Sequence, residues 1–260
     1  MTRILGIIPA RYASTRFPAK PLANIAGKSM VQWVYLQASR STKINKVVVA
    51  TDDQRIFDHV TSFGGMVCMT SADHVSGTDR CFETLQKQNE KYDYVINVQG
   101  DEPFIAPEQI DLLASLLDGE TQLATLGKKI TEQDVLFNPN VVKLVKSVNK
   151  EALYFSRSTI PHIRNVQEGE WLSKQVFFKH IGLYAYRSDI LGMVTKLPVS
   201  TLEKAESLEQ LRWLEHGFRI KVAETDRETI GVDTPEDLEK AITFFRSRES
   251  GVGSQEMRHD

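Results

Sequence analysis

Three basic side chains lie within ten positions of one another near the start of the chain, in the segment IIPARYASTRFPAKPL. That loop supplies three cations and two hydroxyls: Arg11, Arg16, Lys20, Ser14 and Thr15. Cations, hydroxyls and free backbone N–H groups together are a set that binds phosphate. A charged loop alone is more often solvated surface, but no acidic residue precedes Asp52 to neutralise this one. The loop therefore predicts a receptor for a polyphosphate.

An acidic turn follows an apolar run in the segment VINVQGDEP, where the carboxylates are Asp101 and Glu102. Magnesium in nucleotide sites is held by one or two carboxylates together with substrate phosphates. We predict Asp101 as one ligand, and Asp233 in GVDTP, after another short apolar run, as the second. The plain alternatives are a polar turn at Asp101 and a helix N-cap at Asp233, and for Asp233 alone the cap is favoured.

Two familiar nucleotide-binding motifs are absent from the sequence. Leu22–Ser29 ends in Gly-Lys-Ser like a P-loop, but Leu22 stands at the first glycine position and no strand directly precedes it. We expect Gly27 and Lys28 to form a turn before a helix. There is no G-x-G-x-x-G either, so a dinucleotide-binding Rossmann site has no support.

The composition is that of an ordinary globular protein: 260 residues, 41% apolar, with 32 basic against 34 acidic side chains. Near-zero net charge excludes a general nucleic-acid binder. The two cysteines, Cys68 and Cys81, form no C-x-x-C pair, so we expect buried thiols in a reducing cytosol rather than disulfides or a zinc site. No apolar run reaches the roughly 18 residues of a membrane span, and we expect a cytoplasmic protein.

Short apolar runs alternate with helical patterns through the first hundred residues. The predicted strands are Ile4–Ile8, Val47–Ala50, Met66–Met69 and Tyr94–Val98. The predicted helices are Met30–Ser39, Ile56–Phe63 and Arg80–Gln88. This alternation predicts an α/β fold, a mostly parallel sheet with helices on both faces. Ligands of such sheets bind beyond the carboxyl ends of the strands, where both the basic loop and the acidic turn lie.

The pattern changes after about residue 120. Further predicted strands are Gln122–Ile130, Val141–Val148, Val176–Arg187 and Arg219–Ala223. Helices are predicted at Leu202–His216 and from Pro235 to about Arg246. We expect one α/β domain over residues 1–248, with an inserted smaller sheet-and-helix lobe at about 120–217 and a flexible tail at 249–260.

The motifs taken together resemble the CMP-sugar synthetases. Besides the basic loop and NVQGDEP, they are SGTDR (76–80), ALYFSR (152–157), KHIGLYAY (179–186), LEQLR (208–212) and GVDTPEDL (231–238). The basic loop alone marks only the broader nucleotidyltransferase class. The combination, over about residues 4–245, is similar to the family of 3-deoxy-manno-octulosonate (Kdo) cytidylyltransferases.

This resemblance implies a reaction and an assembly. CTP and Kdo would give CMP-Kdo and pyrophosphate ahead of lipopolysaccharide assembly, by in-line attack of the anomeric 2-hydroxyl on the α-phosphorus, with Mg²⁺ as cofactor. The family's Rossmann-like, nucleotide-diphospho-sugar transferase fold and its homodimeric state would also apply. We expect the dimer contact at about residues 150–215. No nucleic acid or membrane is implied as a partner.

The resemblance also assigns roles to individual residues. The catalytic set would be Arg16, Lys20, Asp101 and Asp233, of which Asp101 and Asp233 hold the metal. The CTP set would be Ala10, Arg11, Ser14, Thr15, Arg16, Lys20, Ser71, Ser76, Thr78, Arg80 and Asp101. The Kdo set would be Gln99, Arg157, His180, Tyr184, Glu209 and Gln210. Arginine suits the sugar carboxylate because its guanidinium binds carboxylates in a bidentate manner. Without the resemblance, Arg157 would be interpreted as a surface ion-pair partner, His180 as a structural histidine, and Glu209 and Gln210 as a solvated helix face.

Two departures and two alternatives stay open. Ala19 and Ala26 stand where the family usually has glycine, and alanine costs about 1 kcal/mol wherever the backbone needs a positive φ. One alternative function is a cytidylyltransferase for another acidic sugar, an 8-amino Kdo analogue or a sialic acid. The other is a nucleotide-sensing module without catalysis.

Overall fold

Eleven strands and ten α-helices make up the part of the chain that the computed structural model describes, residues 2–13, 17–229 and 231–256. The strands are β1 (Ile4–Pro9), β2 (Asn24–Ile25), β3 (Lys28–Ser29), β4 (Lys46–Thr51), β5 (Val67–Met69), β6 (Tyr94–Asn97), β7 (Leu123–Lys129), β8 (Lys143–Lys146), β9 (Ala152–Ser156), β10 (Phe178–Arg187) and β11 (Ile220–Glu224). The helices are α1 (Met30–Ser39), α2 (Gln54–Ser62), α3 (Gly77–Gln86), α4 (Pro107–Ala114), α5 (Gln133–Phe137), α6 (Trp171–Lys174), α7 (Ser188–Val194), α8 (Thr201–Glu206), α9 (Gln210–Glu215) and α10 (Pro235–Glu256).

The central sheet has the strand order β11-β7-β10-β6-β1-β4-β5. β1 pairs in parallel with β4 and β6, β4 with β5, and β7 with β11, whereas β10 runs antiparallel to both β6 and β7. The carboxyl ends of β1, β4, β5 and β6 therefore meet at one edge. The predicted mostly parallel α/β fold is confirmed.

Residues of β1 alternate between the two faces of the sheet. Ile4 and Ile8 pack into a core with α1, α2 and α4, while Leu5 and Ile7 pack into a second core with α3, α7 and α9. Both faces are buried, as the apolar character of the run predicts. This burial fixes the strand ends that carry the functional loops.

The inserted region does not form a sheet of its own. β7 and β10 are central strands, and β8 and β9 continue the same sheet sideways from β10. The region that the sequence separates at about 120–217 is thus continuous with the main sheet. None of the helices in the described residues has the length and apolarity needed to cross a membrane.

Most predicted elements differ from the observed ones only at their ends, but the single helix predicted at Leu202–His216 is wrong. The chain breaks into α8 and α9 because Ser207 has a φ of 53° and its N–H bonds back to the Glu203 carbonyl. The final helix begins at Pro235 as predicted but continues to Glu256, so residues 249–256 of the expected tail are helical. Residues 257–260 lie outside the described residues.

The Gly27 segment forms a tight turn between β2 and β3, directly before α1, as predicted. Gly27 has a φ of 89° and Ala26 a φ of 48°. Ser29 then caps α1 by accepting a hydrogen bond from the backbone N–H of Gln32. Cys81 is buried, Cys68 is half-buried, and both thiols are free.

Candidate active site

The basic loop after β1 is closed on itself. The N–H of Ala19 donates to the Tyr12 carbonyl at 3.0 Å, and Ala19 takes the left-handed conformation with a φ of 58°. A short 3-10 helix, Lys20–Leu22, starts immediately afterwards. The loop thereby directs Lys20 back towards the end of β1. The predicted phosphate-binding residues Ser14, Thr15 and Arg16 lie outside the described residues.

Two carboxylates from distant parts of the chain meet at one ammonium group. Lys20 Nζ lies 2.8 Å from Asp101 Oδ2 and 3.2 Å from Asp233 Oδ1. The backbone N–H of Val232 donates to the Asp101 carbonyl at 2.9 Å, which holds the two segments together. The structure thus brings together the two aspartates that the sequence pairs.

These carboxylates keep access to solvent, since the side chains of Asp101 and Asp233 are 32% and 48% exposed. Within the described residues, no group of three or more His, Cys, Asp and Glu side chains is placed to hold a metal ion. A cation bound by this pair would take its other ligands from substrate and water. That is the ligand set that magnesium favours.

The ends of β1 and β6 approach each other closely at Gly100. A Cβ on this residue would lie 2.5 Å from the Pro9 carbonyl oxygen, which no real side chain tolerates. Only glycine permits this contact, and it brings Ala10 and Arg11 beside Asp101. Ala10, Arg11, Lys20, Asp101 and Asp233 all line one cavity of about 250 Å³.

Ser76 and Arg80 lie at the opposite wall of that cavity. Ser76 caps α3 by accepting the backbone N–H of Asp79 at 3.1 Å. Arg80 is buried, and its guanidinium bonds to Asp52 at 2.9 Å and to the Thr70 hydroxyl. Its charge is therefore already matched inside the protein, so Arg80 positions the ends of β4 and β5.

His74 also lines this cavity, although no sequence motif indicated it. Its Nε2 bonds to Glu83, which also accepts the backbone N–H of Ser71 at 2.8 Å and pairs with Lys87 at 2.6 Å. Burial alone would raise the pKa of Glu83, but these donors outweigh it and lower the pKa to about 2. His74 follows β5 at the ligand-binding edge of the sheet, and this position in the sequence could have marked it as a cavity residue.

A second cavity adjoins the first, because Pro9, Gly77 and Gln99 line both. It contains five of the six residues predicted to surround the sugar: Gln99, His180, Tyr184, Glu209 and Gln210. Gln99 Nε2 donates to the Gly182 carbonyl at 2.9 Å, which fixes its side chain at the junction.

Among the residues that the structure describes, no Lys or Arg lines the second cavity. Burial raises the pKa of Glu209, whose Oε2 accepts the Thr78 hydroxyl at 2.9 Å. Burial lowers the pKa of His180 to about 3, so this imidazole is neutral at physiological pH. The described lining of this cavity is therefore polar and carries no cation, in contrast with its neighbour.

Three predicted site residues do not line the cavity that corresponds to their predicted role. Arg157 lines neither cavity: its Nε donates to the Glu206 carbonyl at 2.7 Å and its backbone N–H to the Glu206 carboxylate at 2.8 Å. Ser71 lines neither cavity, since its N–H is bound to Glu83. Thr78, predicted beside the nucleotide, lines the second cavity because it belongs to the face of α3 that meets Glu209.

Residues 5–224 match the family model described as cytidylyltransferase. The 3-deoxy-manno-octulosonate cytidylyltransferase of Parabacteroides distasonis is 56% identical over 253 residues, which cover 95% of this chain and 100% of that relative. The same enzyme of Cytophaga hutchinsonii is 58% identical over 236 residues, covering 90% of this chain and 94% of the relative. The chain belongs to the family of 3-deoxy-manno-octulosonate cytidylyltransferases. The resemblance that the motifs indicate is thereby confirmed.

Solved structures agree with this membership. The structure of a CMP:2-keto-3-deoxy-manno-octonic acid synthetase complexed with CTP superimposes with a TM-score of 0.88 at 42% identity, covering 95% of this chain and 100% of that one. A 4-diphosphocytidyl-2C-methyl-D-erythritol synthase from Anaerococcus prevotii superimposes with a TM-score of 0.63 at 14% identity, covering 94% of this chain and 99% of that one. The second match shows a shared fold only.

Proposed function

We propose that this chain transfers CMP from CTP to Kdo, with release of pyrophosphate. The observation that carries the proposal is the pair of adjoining cavities that meet at Gln99. One has Lys20 and Asp101 in its wall, and the other is polar, with no Lys or Arg among its described lining residues. A triphosphate fits the first, and a polyhydroxylated sugar fits the second. The names of the close relatives support the same reaction.

In this proposal the nucleotide occupies the first cavity. Arg11 and Lys20 neutralise the phosphates, together with Arg16 and the hydroxyls of Ser14 and Thr15 from the same loop. Ala10 and Ser76 lie near the base and ribose, and Arg80 orders the wall behind them. The Kdo set occupies the second cavity, and Arg157 reaches the sugar only if it leaves its present contacts with Glu206.

Magnesium fits the two carboxylates at the base of the first cavity. Asp101 and Asp233 supply hard oxygen donors beside Lys20, and both carboxylates are partly exposed to solvent, which leaves access for further oxygen ligands. When bound, the ion would supply positive charge to the phosphates and acidify a coordinated hydroxyl. The aspartates would hold it, and Lys20 would be released from them to contact a phosphate.

The chemistry asked of the chain is positioning and charge neutralisation. The anomeric oxygen of Kdo forms a bond to the α-phosphorus, the bond from that phosphorus to the bridging oxygen of pyrophosphate breaks, and the hydroxyl proton passes to solvent. Gln99, at the junction of both cavities, is placed to orient the attacking sugar. Lys20 and Arg11 stabilise the charge that develops on the leaving pyrophosphate. No side chain is required as a general base.

A pyrophosphate-release assay tests this function. We expect release with CTP and Kdo in the presence of Mg²⁺, and at least tenfold less with ATP, GTP or UTP, or after chelation of the metal. Higher kcat/KM with a sialic acid or 8-amino Kdo would favour the other acidic sugars. CTP binding without release of pyrophosphate under any of these conditions would favour a nucleotide sensor and contradict the proposal.

We further propose a cytoplasmic homodimer that supplies CMP-Kdo to lipopolysaccharide assembly. Exposed apolar side chains within residues 150–215 support a contact there: Leu153, Val176, Met193, Val199 and Leu202. Light scattering of the wild type and of Leu153→Glu tests this interface. A wild type that is a monomer at micromolar concentration would contradict it.

A further inference from the structure

The second cavity contains buried polar atoms that no protein group satisfies. In the described part of the chain, three buried side-chain atoms have no hydrogen-bond partner: Asn97 Oδ1, the Tyr184 hydroxyl and Trp213 Nε1. Asn97 and Tyr184 both line this cavity, and both are only 6% exposed. The Tyr184 hydroxyl also interacts with Thr125. Buried polar atoms in native proteins are almost always paired, so Asn97 Oδ1 indicates a missing partner.

The amide of Asn97 lies at the wall of the second cavity, with Nδ2 near Gly77 and Oδ1 without a partner. Asn97 is the last residue of β6 and is held by its backbone between Ile7 and Tyr184 of the neighbouring strands. Burial and Glu209 raise the pKa of Tyr186 well above its usual value, and hydrogen bonds with Thr78 and Asn97 oppose that shift. Tyr186 thus interacts with the same amide, whose Oδ1 is the atom without a partner.

The neighbouring groups are acceptors as well. The single proton of the Thr125 hydroxyl is donated to the carbonyls of Ile181 and Leu183, so this oxygen accepts from His180 Nε2. The imidazole is neutral, so its Nδ1 is left as an acceptor. Glu209 adds a carboxylate oxygen. The described residues of the cavity therefore offer several acceptors and no Lys or Arg, a lining that suits hydroxyl groups and disfavours a carboxylate.

We propose that Asn97 is a further substrate-contacting residue, whose Oδ1 accepts a hydrogen bond from one hydroxyl of the sugar's polyol chain. The inference rests on the proposed function, since it assigns the sugar to this cavity. It makes Asn97 a specificity-determining residue, because a substrate without that hydroxyl would leave Oδ1 buried and unpaired. It also places the polyol chain, rather than the carboxylate, against β6.

The test combines one substitution with a set of substrates. Asn97→Leu keeps the number and branching of the side-chain heavy atoms and removes the acceptor. With Kdo as substrate we expect kcat/KM to fall about tenfold or more, while the KM for CTP changes less than threefold. The panel consists of Kdo analogues in which one hydroxyl at a time is replaced by hydrogen. For one analogue the wild type and Asn97→Leu should have the same kcat/KM within about twofold, because the contact is already absent.

Several outcomes would overturn the inference. Equal losses of Asn97→Leu across the whole panel, or equal changes in the KM of CTP and Kdo, would indicate a structural role or a bound water. If Asn97→Leu does not bind CTP by calorimetry, Asn97→Ala, which adds no volume, is tested on the same panel of analogues.

The control is Asn45→Leu, which removes an amide bonded to Ile4 at the opposite edge of the sheet. Its kcat/KM should show no dependence on the analogue. The proposed function fails only if the wild type does not release pyrophosphate with Kdo, so the two failures are distinguishable.

Discussion

Lys20 Nζ lies 2.8 Å from Asp101 Oδ2 and joins the loop after β1 to the turn after β6. Asp233 binds the same ammonium from the segment before α10. Three parts of the chain thus share one charge cluster at the sheet edge. The cluster gathers two carboxylates around one ammonium group at the edge where we propose that a polyphosphate binds.

Replacing Asp101 by asparagine should abolish most turnover. Asp101→Asn keeps the shape but removes one of the two charges proposed to hold the metal, so we expect kcat to fall at least 100-fold. CTP binding should weaken less than tenfold, because Arg11 and Lys20 are intact. Pyrophosphate release and calorimetry measure the two effects. Asp226→Asn, at an exposed aspartate, is the matched control, and near-normal turnover of Asp101→Asn would remove this residue from the metal site.

Gly100→Ala should damage both stability and activity. The added Cβ would meet the Pro9 carbonyl oxygen at 2.5 Å, so the ends of β1 and β6 must separate. We expect a loss of about 1–3 kcal/mol in the free energy of unfolding and at least tenfold in kcat/KM. Urea denaturation and the release assay measure these. Gly169→Ala, where the nearest atom is 3.8 Å away, should change neither, and an unaffected Gly100→Ala would contradict the close approach.

The sequence predicts the parts of the site that depend on strand ends. Asp101 and Lys20 each follow an apolar run, and the carboxyl ends of parallel strands meet, so their proximity follows from the fold class. It cannot predict the place of Arg157, because that depends on how Glu206 of α8 turns back onto β9. Nor does it predict the importance of Gly100, whose neighbour Pro9 is brought close only by the pairing of β1 with β6.

Asn97 and Ser207 show two further limits. Asn97 lies inside a run of strand residues, and only the register with β10 directs its side chain into the second cavity. Ser207 interrupts an otherwise good helical pattern because its left-handed backbone lets Leu208 and α9 pack into the core. In both cases tertiary packing decides what local propensity leaves open.

Ala26→Gly should stabilise the protein. Ala26 is exposed and has a φ of 48°, a conformation that costs a non-glycine residue about 1–2 kcal/mol. Glycine also makes the unfolded chain more flexible, which offsets about 0.4–1 kcal/mol of this gain. We therefore expect a net increase of about 0.5–1 kcal/mol in the free energy of unfolding. Urea denaturation measures it. Ala23→Gly, at a φ of −59°, should instead destabilise, and the same sign for both variants would refute this explanation.

His180 should make the protein less stable as the pH falls. Burial lowers its pKa in the folded protein to about 3, against about 6.5 when unfolded, so between these values only the unfolded chain binds the proton. The free energy of unfolding therefore decreases with falling pH by up to about 1.4 kcal/mol per unit, about 2 kcal/mol from pH 6.5 to pH 5.

The substitution His180→Gln isolates this effect. Glutamine keeps a donor for the Thr125 hydroxyl but binds no proton, so the variant should lose about 2 kcal/mol less than the wild type between pH 7 and pH 5. Urea denaturation at both pH values provides the comparison. His216→Gln, at an exposed histidine, should follow the wild type. Parallel pH profiles for wild type and His180→Gln would show that His180 is protonated in the folded protein, and the neutral acceptor assigned to it in the second cavity would then be wrong.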